Sequence, residues 1–334
     1  MFNNILIIGH SNIGDVCCDL VVVNPLHREF PKAKITFLTS SRSKNIAEGY
    51  KGLQRVVTFD KHAKDKGLKG SVRFMAALAK ERFDLLIILK SSLRYMVLGI
   101  PCVWNVRKYF GFASLPKRVH SIDVYLEFLR SHAIDAQEAI FDFGLDDEDK
   151  KFCDAFLAKE GIRAQDKVVG ILPMAAWSIK SWPIDKWNEL AGILKSQYGV
   201  KVIGFSKSDK SQFSQEVLKN ISGEIIPANK TTLKQAMALI SRCNLFIGPD
   251  SGLLHLASCI GVGAIGLYGP TPPDFIYPYF HRQDIIISKK KSDCMPCYPG
   301  FKSFPCKGKF WFGACMEAIS VEDVLESVKK KLDL

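Results

Sequence analysis

The sequence predicts an α/β protein made of two doubly wound domains, each with a largely parallel sheet. Short apolar runs alternate with segments of helical periodicity along the whole chain, which is typical of parallel strands covered by helices. The chain has 334 residues, and one domain commonly holds about 100–200, so two are expected. A linker-like stretch at 161–167 separates two such alternating series, and the predicted domains are therefore residues 1–163 and 164–334.

The predicted elements follow the apolar runs in order. In the first domain the strands are 5–8, 34–38, 56–59 and 84–89, and helices lie between them, one near 70–82. Pro25 cannot occupy a helix interior, so the helix after the first strand should break or restart there. An amphipathic helix ends near Gly161. In the second domain the strands are 168–172, 200–205, 244–247 and 263–268, and the helices are 185–197, 233–241 and a basic amphipathic one at 321–334.

Composition and charge indicate which kinds of binding partner to expect. The net charge of +12 favours an anionic partner, such as a phosphorylated substrate or an anionic membrane surface. No compact DNA- or RNA-binding motif is visible, so no nucleic acid partner is expected. The chain shows neither a signal peptide nor an apolar stretch of about 20 residues, so a cytoplasmic protein is expected, peripheral to a membrane at most. Its ten cysteines should then be mostly reduced.

The first motif, at 8–15, follows the first strand and precedes a helix. Gly9 and Gly14 allow a tight turn and close approach of a ligand to the backbone. Asp15 stands near the helix start, where it is either an N-cap or a catalytic carboxylate. The two glycines do not complete a GxGxxG pattern, which disfavours a nicotinamide oxidoreductase.

The second motif, at 177–183, follows the first strand of the second domain. Lys180 lies in a strand-to-helix loop, where it is either a phosphate-binding lysine or a solvated surface residue. Ser181 or Asp185 is expected to cap the helix that follows.

The third motif, at 247–255, is the most informative. A strand ends there and a helix begins near Ser251, so free backbone N–H groups and the positive end of the helix dipole suit a diphosphate. Gly252 lets a phosphate approach closely. Asp250 is expected either to cap the helix or to bind sugar hydroxyls, and His255 is either structural or part of the site. A rigid Gly-Pro-Thr-Pro-Pro loop follows the next strand at 269–273.

Segments 11–15, 180–183, 248–255 and 267–271, in this order, resemble the signatures of glycosyltransferase family 9, the ADP-heptose:lipopolysaccharide heptosyltransferases. The resemblance implies a GT-B fold, in which two Rossmann-like domains face each other across a cleft. It implies an N-terminal acceptor domain and a C-terminal nucleotide-sugar domain. It also implies inverting transfer of a heptose or related sugar from an ADP-sugar, without a cofactor or catalytic metal.

The family's functional residues map onto this sequence one by one. Asp15 matches the general base. The positions that match the substrate and nucleotide site are Ser11, Gly14, Lys180, Asp250, Ser251, Gly252 and His255. The implied acceptor is an anionic glycolipid of the Kdo–lipid A type at the cytoplasmic face of the inner membrane. Ala175 and Ala176 depart from the family, which often has hydroxyl residues before the lysine, and 206–209 is a ribose or adenine contact by position only.

A cysteine cluster near the C-terminus comprises Cys294, Cys297, Cys306 and Cys315. Reduced structural thiols are favoured. The alternative is a four-thiolate zinc site, although the spacing is not that of a zinc ribbon. The aromatic and lysine side chains at 298–312 form either a local apolar cluster or a contact with lipid or acceptor glycan.

Two other functions remain open from the sequence. A nucleotide-sugar epimerase with a related GT-B fold would act on free nucleotide sugar without a lipid acceptor. A non-catalytic sugar-nucleotide-binding protein would bind ADP without turnover.

Overall fold

A computed structural model describes residues 2–60, 63–89, 108–110, 118–206, 212–289, 294–297 and 313–334, with residues 108–110 and 212 described by their backbone alone. The chain divides into two compact units, Met1–Gly144 and Leu145–Leu334. Each unit is a parallel sheet with helices packed against it, as the alternating pattern predicts.

The first unit contains a five-stranded sheet in the order β3-β2-β1-β4-β5, and every pair in it is parallel. Its strands are β1 (Asn4–Ile8), β2 (Lys34–Thr39), β3 (Arg55–Thr58), β4 (Leu85–Ile88) and β5 (Lys108–Phe110). Its described helices are α1 (Ile13–Asp19), α2 (Val23–Glu29), α3 (Lys44–Ala47), α4 (Gly67–Ala79) and α5 (Ser121–Ser131), with a 3₁₀ turn at Leu20–Val22.

The second unit contains a six-stranded parallel sheet in the order β11-β10-β9-β6-β7-β8. Its strands are β6 (Val168–Ile171), β7 (Lys201–Gly204), β8 (Ile225–Pro227), β9 (Leu245–Pro249), β10 (Gly263–Tyr268) and β11 (Ile285–Ile287). Its described helices are α6 (Asp147–Lys159), α7 (Ile184–Tyr198), α8 (Gln212–Asn220), α9 (Leu233–Ile240), α10 (Gly252–Cys259), α11 (Ala314–Glu317) and α12 (Val321–Leu332).

The central strands are apolar on both faces because helices cover both sides of each sheet. Every residue of β4, β6 and β9 is buried. On one face of the second sheet, the rings of Trp182 and Trp187 meet edge to face with their centroids 4.9 Å apart. Trp182 Nε1 also donates to the carbonyl of Ile319 at 3.1 Å, which ties the chain before α12 to the start of α7.

The predicted strands and helices are confirmed within a few residues. The expected break near Pro25 also occurs, because a 3₁₀ turn at Leu20–Val22 interrupts the helix before α2 begins. The sequence analysis missed the three-residue strands β5, β8 and β11. All three lie at sheet edges, where a short strand is held by one neighbour and leaves only a weak pattern.

The terminal helix α12 is amphipathic, as predicted. Its buried side chains are Val321, Val324, Val328 and Leu332, and its last turn carries three lysines. One of them, Lys331, pairs with Asp284 at 2.7 Å between Nζ and Oδ2. Across the described part of the chain, no helix combines the length and the apolar character needed to cross a bilayer.

The compact units divide before α6, not near Ala164 as the sequence predicted. Leu157 and Cys153 on α6 are buried in the core of the second unit, and Cys153 Sγ contacts the carbonyl of Ala238 on α9 at 3.4 Å. Asp146 caps α6 and pairs with Lys234 of α9 at 3.3 Å. The sequence places the boundary at the most polar loop, but the packing of α6 assigns this helix to the second unit.

Leu157→Ala should therefore destabilise the second unit by about 2–5 kcal/mol, because it removes apolar atoms from a core that cannot fully collapse. Lys151→Ala is the matched control, since Lys151 is an exposed residue of the same helix, and it should change the free energy of unfolding by less than about 0.5 kcal/mol. Urea denaturation followed by tryptophan fluorescence measures both changes, because Trp177, Trp182 and Trp187 all lie in the second unit. Equal effects of the two substitutions would contradict the assignment of α6.

Candidate active site

Three of the predicted site residues form one charged cluster in the second unit. Lys180 Nζ lies 2.6 Å from Asp250 Oδ2, and His255 Nε2 lies 3.1 Å from Asp250 Oδ1. The three side chains are only 10–14% exposed. A single carboxylate thus joins the lysine loop to the helix that follows β9.

Local structure places each member of this cluster. β9 ends at Pro249, and Ser251 is the N-cap of α10, with its hydroxyl accepting from the amide of Leu254 at 3.4 Å. Asp250 is therefore held between strand and helix. Lys180 ends a 3₁₀ turn at Ser178–Lys180.

The lysine loop is closed by its own hydrogen bonds. The Lys180 amide donates to the carbonyl of Trp177 at 2.9 Å, and the Ser181 hydroxyl accepts from the amide of Ala175 at 2.9 Å. The amide of Gly313 donates to the carbonyl of Ile179 at 3.2 Å. These contacts hold the loop from both sides, so the lysine is presented by a fixed backbone.

Asp250 is ionised in this setting. Burial by itself would raise the pKa of its carboxyl group. The hydrogen bond from His255 and the positive charge of Lys180 outweigh burial and hold the pKa well below its usual range. The cluster therefore contains a carboxylate that is ionised at neutral pH, with a cation on one side and an imidazole on the other.

This arrangement suits a phosphorylated ligand. The first turn of α10 has backbone N–H groups without partners in the helix, and Gly252 keeps side-chain bulk away from them. A lysine ammonium has three donors, so Lys180 can hold a phosphate oxygen in addition to Asp250. Its Nζ also lies 4.9 Å from the ring centroid of Trp177, a side chain that is 42% exposed.

Ser11, Gly14 and Asp15 lie together in the first unit: Ser11 is in the turn between β1 and α1, and Gly14 and Asp15 are in the first turn of α1. Asp15 is exposed and stands in the first turn of the helix, and Asn12 Nδ2 donates to its Oδ2 at 3.0 Å. The carbonyl of Ser11 accepts hydrogen bonds from the hydroxyls of Ser40 and Ser43 at 2.7 and 2.9 Å. The turn is thus anchored by the loop after β2, and the Asp15 carboxylate is accessible at the carboxyl end of the sheet.

Several predicted helix caps are wrong. The N-cap position of α1 belongs to Asn12, so Asp15 is not the cap. Ser251 caps α10 in place of Asp250, whose carboxylate is engaged by Lys180 and His255. The N-cap position of α7 is Pro183. Neither Ser181 nor Asp185 caps it, because Ser181 is turned back onto the lysine loop and Asp185 already lies in the helix.

The cysteine cluster is described only in part. Cys294, Cys297 and Cys315 lie within the described residues and the latter two are buried, whereas Cys306 lies outside them. Among the residues that the structure describes, no three His, Cys, Asp or Glu side chains are grouped closely enough to hold a metal ion. The choice between structural thiols and a zinc site stays a prediction. The aromatic and lysine side chains at 298–312 and positions 207–209 also lie outside the described residues.

The sequence analysis missed one hydrogen-bonded pair near Asp15. His10 Nδ1 lies 2.8 Å from Asp19 Oδ1, and Asp19 is fully buried. A signal was present, because Asp19 interrupts an otherwise apolar stretch of the first helix, where an unpaired charge would be costly. The sequence also gave no sign that Lys180, Asp250 and His255 contact one another.

Two doubly wound parallel sheets, with a lysine beside the start of a helix at a sheet edge, define a class of α/β proteins suited to phosphorylated ligands. Solved structures with a similar fold show which fold within this class the chain has. A glycosyl transferase of family 9 from Veillonella parvula superposes with a TM-score of 0.84 at 21% identity, covering 99% of this chain and 97% of that one. ADP-heptose lps heptosyltransferase II of Escherichia coli superposes with a TM-score of 0.73 at 19% identity, with 98% of each chain covered. The chain therefore has the GT-B fold.

Sequence similarity identifies the family. Glycosyltransferase family 9 (heptosyltransferase) matches residues 103–307, which is more than half of the chain. The chain is also 25% identical to the lipopolysaccharide core heptosyltransferase OpsX of Haemophilus influenzae, covering 98% of this chain and 96% of its relative. This protein belongs to glycosyltransferase family 9 and is a glycosyltransferase.

Lys180→Met should lower the free energy of unfolding by about 3 kcal/mol, because it removes the cation and leaves a nearly buried carboxylate with one partner. Lys150→Met is the matched control. Its Nζ pairs with Asp147 at 3.2 Å, but both side chains are exposed, so the loss should stay below about 1 kcal/mol. Chemical denaturation of the two variants measures the difference. A loss at Lys180 no larger than at Lys150 would show that the buried pair does not stabilise the fold.

The lowered pKa of Asp250 also predicts a pH dependence. The unfolded carboxyl group binds its proton near pH 4, whereas the folded one resists protonation, so its contribution to stability is present above about pH 4 and is lost below it. The difference in free energy of unfolding between wild type and Asp250→Asn should be constant above about pH 5 and shrink as the pH falls below about 4. Urea denaturation across this range tests it. A difference that does not change on acidification would mean that the folded carboxyl titrates normally.

Proposed function

We propose that this glycosyltransferase moves a heptose, or a related sugar, from an ADP-sugar to the inner core of lipopolysaccharide, with inversion at the anomeric carbon. The similarity to the H. influenzae core heptosyltransferase along nearly the whole chain carries this proposal. ADP-heptose as the donor is supported by the E. coli structure, which is that of an ADP-heptose lps heptosyltransferase.

Asp15 is the proposed general base. Its carboxylate removes the proton from the acceptor hydroxyl as that oxygen attacks the anomeric carbon, and the bond from this carbon to the diphosphate oxygen breaks. An exposed carboxylate on an anchored turn at the carboxyl end of β1 can perform this step. Ser11 and Gly14 shape the same turn and are proposed to contact the substrate through it.

The departing ADP needs charge stabilisation, which we assign to the second unit. Lys180 and the start of α10 at Ser251 and Gly252 provide positive charge and N–H donors for the diphosphate. Asp250 and His255 keep the lysine in place and are proposed to complete the nucleotide-sugar site. The proposal requires neither a cofactor nor a catalytic metal.

The proposed acceptor is an anionic glycolipid of the Kdo–lipid A type. A net charge of +12 favours contact with an anionic substrate and with the inner membrane that carries it, from the cytoplasmic side. The proposal includes peripheral contact with that membrane and no nucleic acid partner.

The test is ADP release from ADP-heptose, with and without Kdo–lipid A, in the presence and absence of EDTA. Release by the wild type should depend on the acceptor and be insensitive to EDTA. Asp15→Asn should lower kcat by about 10²–10⁴-fold, because it removes the base. Donor binding should be unchanged, because Lys180 and Asp250 lie in the second unit.

Asp147→Asn is the matched control, since Asp147 is also an exposed carboxylate in the first turn of a helix, and it should leave kcat unchanged. An Asp15→Asn variant as active as the wild type would overturn the assignment of the base. Turnover of ADP-heptose without acceptor would favour an epimerase-like reaction, and ADP binding without any turnover would favour a binding protein.

A further inference from the structure

Helix α4 of the first unit presents a stripe of apolar side chains to solvent. Leu68 is 81% exposed, Val72 is 49% exposed, and Ala76 continues the same line one turn further on. Because these residues are four apart, they lie along one face of the helix. A single exposed apolar residue is ordinary on a protein surface, but three in line on one helix indicate a surface that contacts a partner.

A row of basic side chains borders this apolar stripe. Lys69 and Arg73 are also four residues apart, and Lys66 and Lys80 stand at the two ends of the helix. All four side chains are exposed. Residues 66–80 contain no Asp or Glu. The exposed side of α4 is therefore positively charged along one line and apolar along the next.

The opposite face of α4 is packed tightly against the first unit. Leu78 is buried in the core of this unit, and the ring of Phe74 lies 5.0 Å from that of Phe59 between centroids. A β-carbon added at Gly70 would lie 2.5 Å from the carbonyl carbon of Asp65, so the helix rests directly on the loop before it. These contacts fix the rotation of the helix, and its apolar stripe cannot turn inward.

Helix α4 begins at the same sheet edge as the turn that leads to the proposed base. The loop before α4 follows β3, and Asp60 in this loop accepts a hydrogen bond from the amide of Ser41 at 3.1 Å. The neighbouring Ser40 donates its hydroxyl to the carbonyl of Ser11 at 2.7 Å. The loop after β2 thus connects the start of α4 to the turn after β1, at the edge where parallel sheets bind their ligands.

An anionic bilayer surface is the partner that fits both features of this helix. Lysine and arginine side chains attract anionic headgroups, while apolar side chains enter the boundary between the headgroups and the acyl chains. A nucleic acid would use the cations but not the apolar stripe. A protein partner commonly contacts aromatic side chains, and the exposed stripe of α4 carries none.

We propose that α4 is a membrane-binding helix, with Leu68 and Val72 in the apolar boundary of an anionic leaflet and Lys69 and Arg73 at its lipid phosphates. The inference rests on the proposed function, because it assigns the membrane contact of that proposal to one surface of the chain. Bound in this way, α4 holds the sheet edge that carries the base near the leaflet that contains the glycolipid acceptor.

The experiment is co-sedimentation of the full chain with vesicles of phosphatidylcholine alone, or of phosphatidylcholine and phosphatidylglycerol in equal parts, without sugar nucleotide or acceptor. The wild type should prefer the anionic vesicles, and added salt should weaken its binding. Lys69→Gln combined with Arg73→Gln should lower the partition coefficient by at least about tenfold, since each cation near such a surface contributes about fivefold. Leu68→Gln combined with Val72→Gln should lower it by at least about tenfold, because two apolar side chains no longer leave water.

Two matched controls separate this helix from the general charge and apolar surface of the protein. Lys150→Gln combined with Lys151→Gln removes two exposed lysines from α6. Ile287→Gln removes an apolar side chain of β11 that is 43% exposed. Both controls should bind vesicles like the wild type. All of these substitutions are at the surface, so the thermal unfolding midpoint should stay close to that of the wild type.

A wild type that does not bind the anionic vesicles would overturn the inference, and so would equal losses in the α4 variants and in their controls. Self-association of the wild type without vesicles, abolished by Leu68→Gln with Val72→Gln, would assign the stripe to a second copy of the chain and overturn it as well. The proposed function fails separately, because vesicle binding requires neither donor nor acceptor, whereas that proposal fails when the wild type shows no acceptor-dependent release of ADP.

Discussion

Parallel strand pairing determines where every candidate site residue lies. In a parallel sheet the carboxyl ends of neighbouring strands meet at one edge, so loops distant in sequence become neighbours. In the second unit, β6 pairs with β9 with Ile171 opposite Ile247, and the loops that follow both strands carry the cluster. Lys180 and Asp250 therefore meet although 70 positions separate them. In the first unit, β1 pairs with β2 in the same way, and the loop after β2 anchors the turn that leads to Asp15.

In each unit, a carboxylate with little or no solvent exposure lies at this edge and contacts a histidine. Asp19 holds His10 in the first unit, and Asp250 holds His255 together with Lys180 in the second. Burial of a carboxylate is costly, and the cost is offset only by close hydrogen bonds and neighbouring positive charge. The gain is orientation, because a side chain held by a buried charge loses little freedom when a ligand arrives. Such preorganised charge is most effective where a reaction develops charge, as at a departing diphosphate.

The proposed nucleotide-sugar site and the proposed general base are supported by different comparisons with known proteins. The family match over residues 103–307 includes the lysine loop and the start of α10, so the proposed nucleotide-sugar site lies within the matched region. Asp15 precedes that region, and for this residue the similarity to the H. influenzae heptosyltransferase, which extends along nearly the whole chain, is the relevant one. The assignment of the base therefore depends more on the geometry of its own turn. The anchored backbone and the exposed Asp15 carboxylate are the observations that support the proposed base.

The sequence by itself determined the fold class, the longer strands and helices and the turns that carry the site. Apolar runs and glycine or proline signals act over a few residues, which is why β10 was predicted with its observed bounds and the start of α10 was placed near Ser251. Local signals did not decide which of two neighbouring polar residues caps a helix, since Asp250 and Ser251 are both suitable. Only the tertiary structure assigned α6 to the second unit, turned Asp250 toward Lys180 and His255, and paired Asp19 with His10. Each of these outcomes depends on which side chains the sheet order and the helix packing bring together, and that information is not contained in any short stretch of sequence.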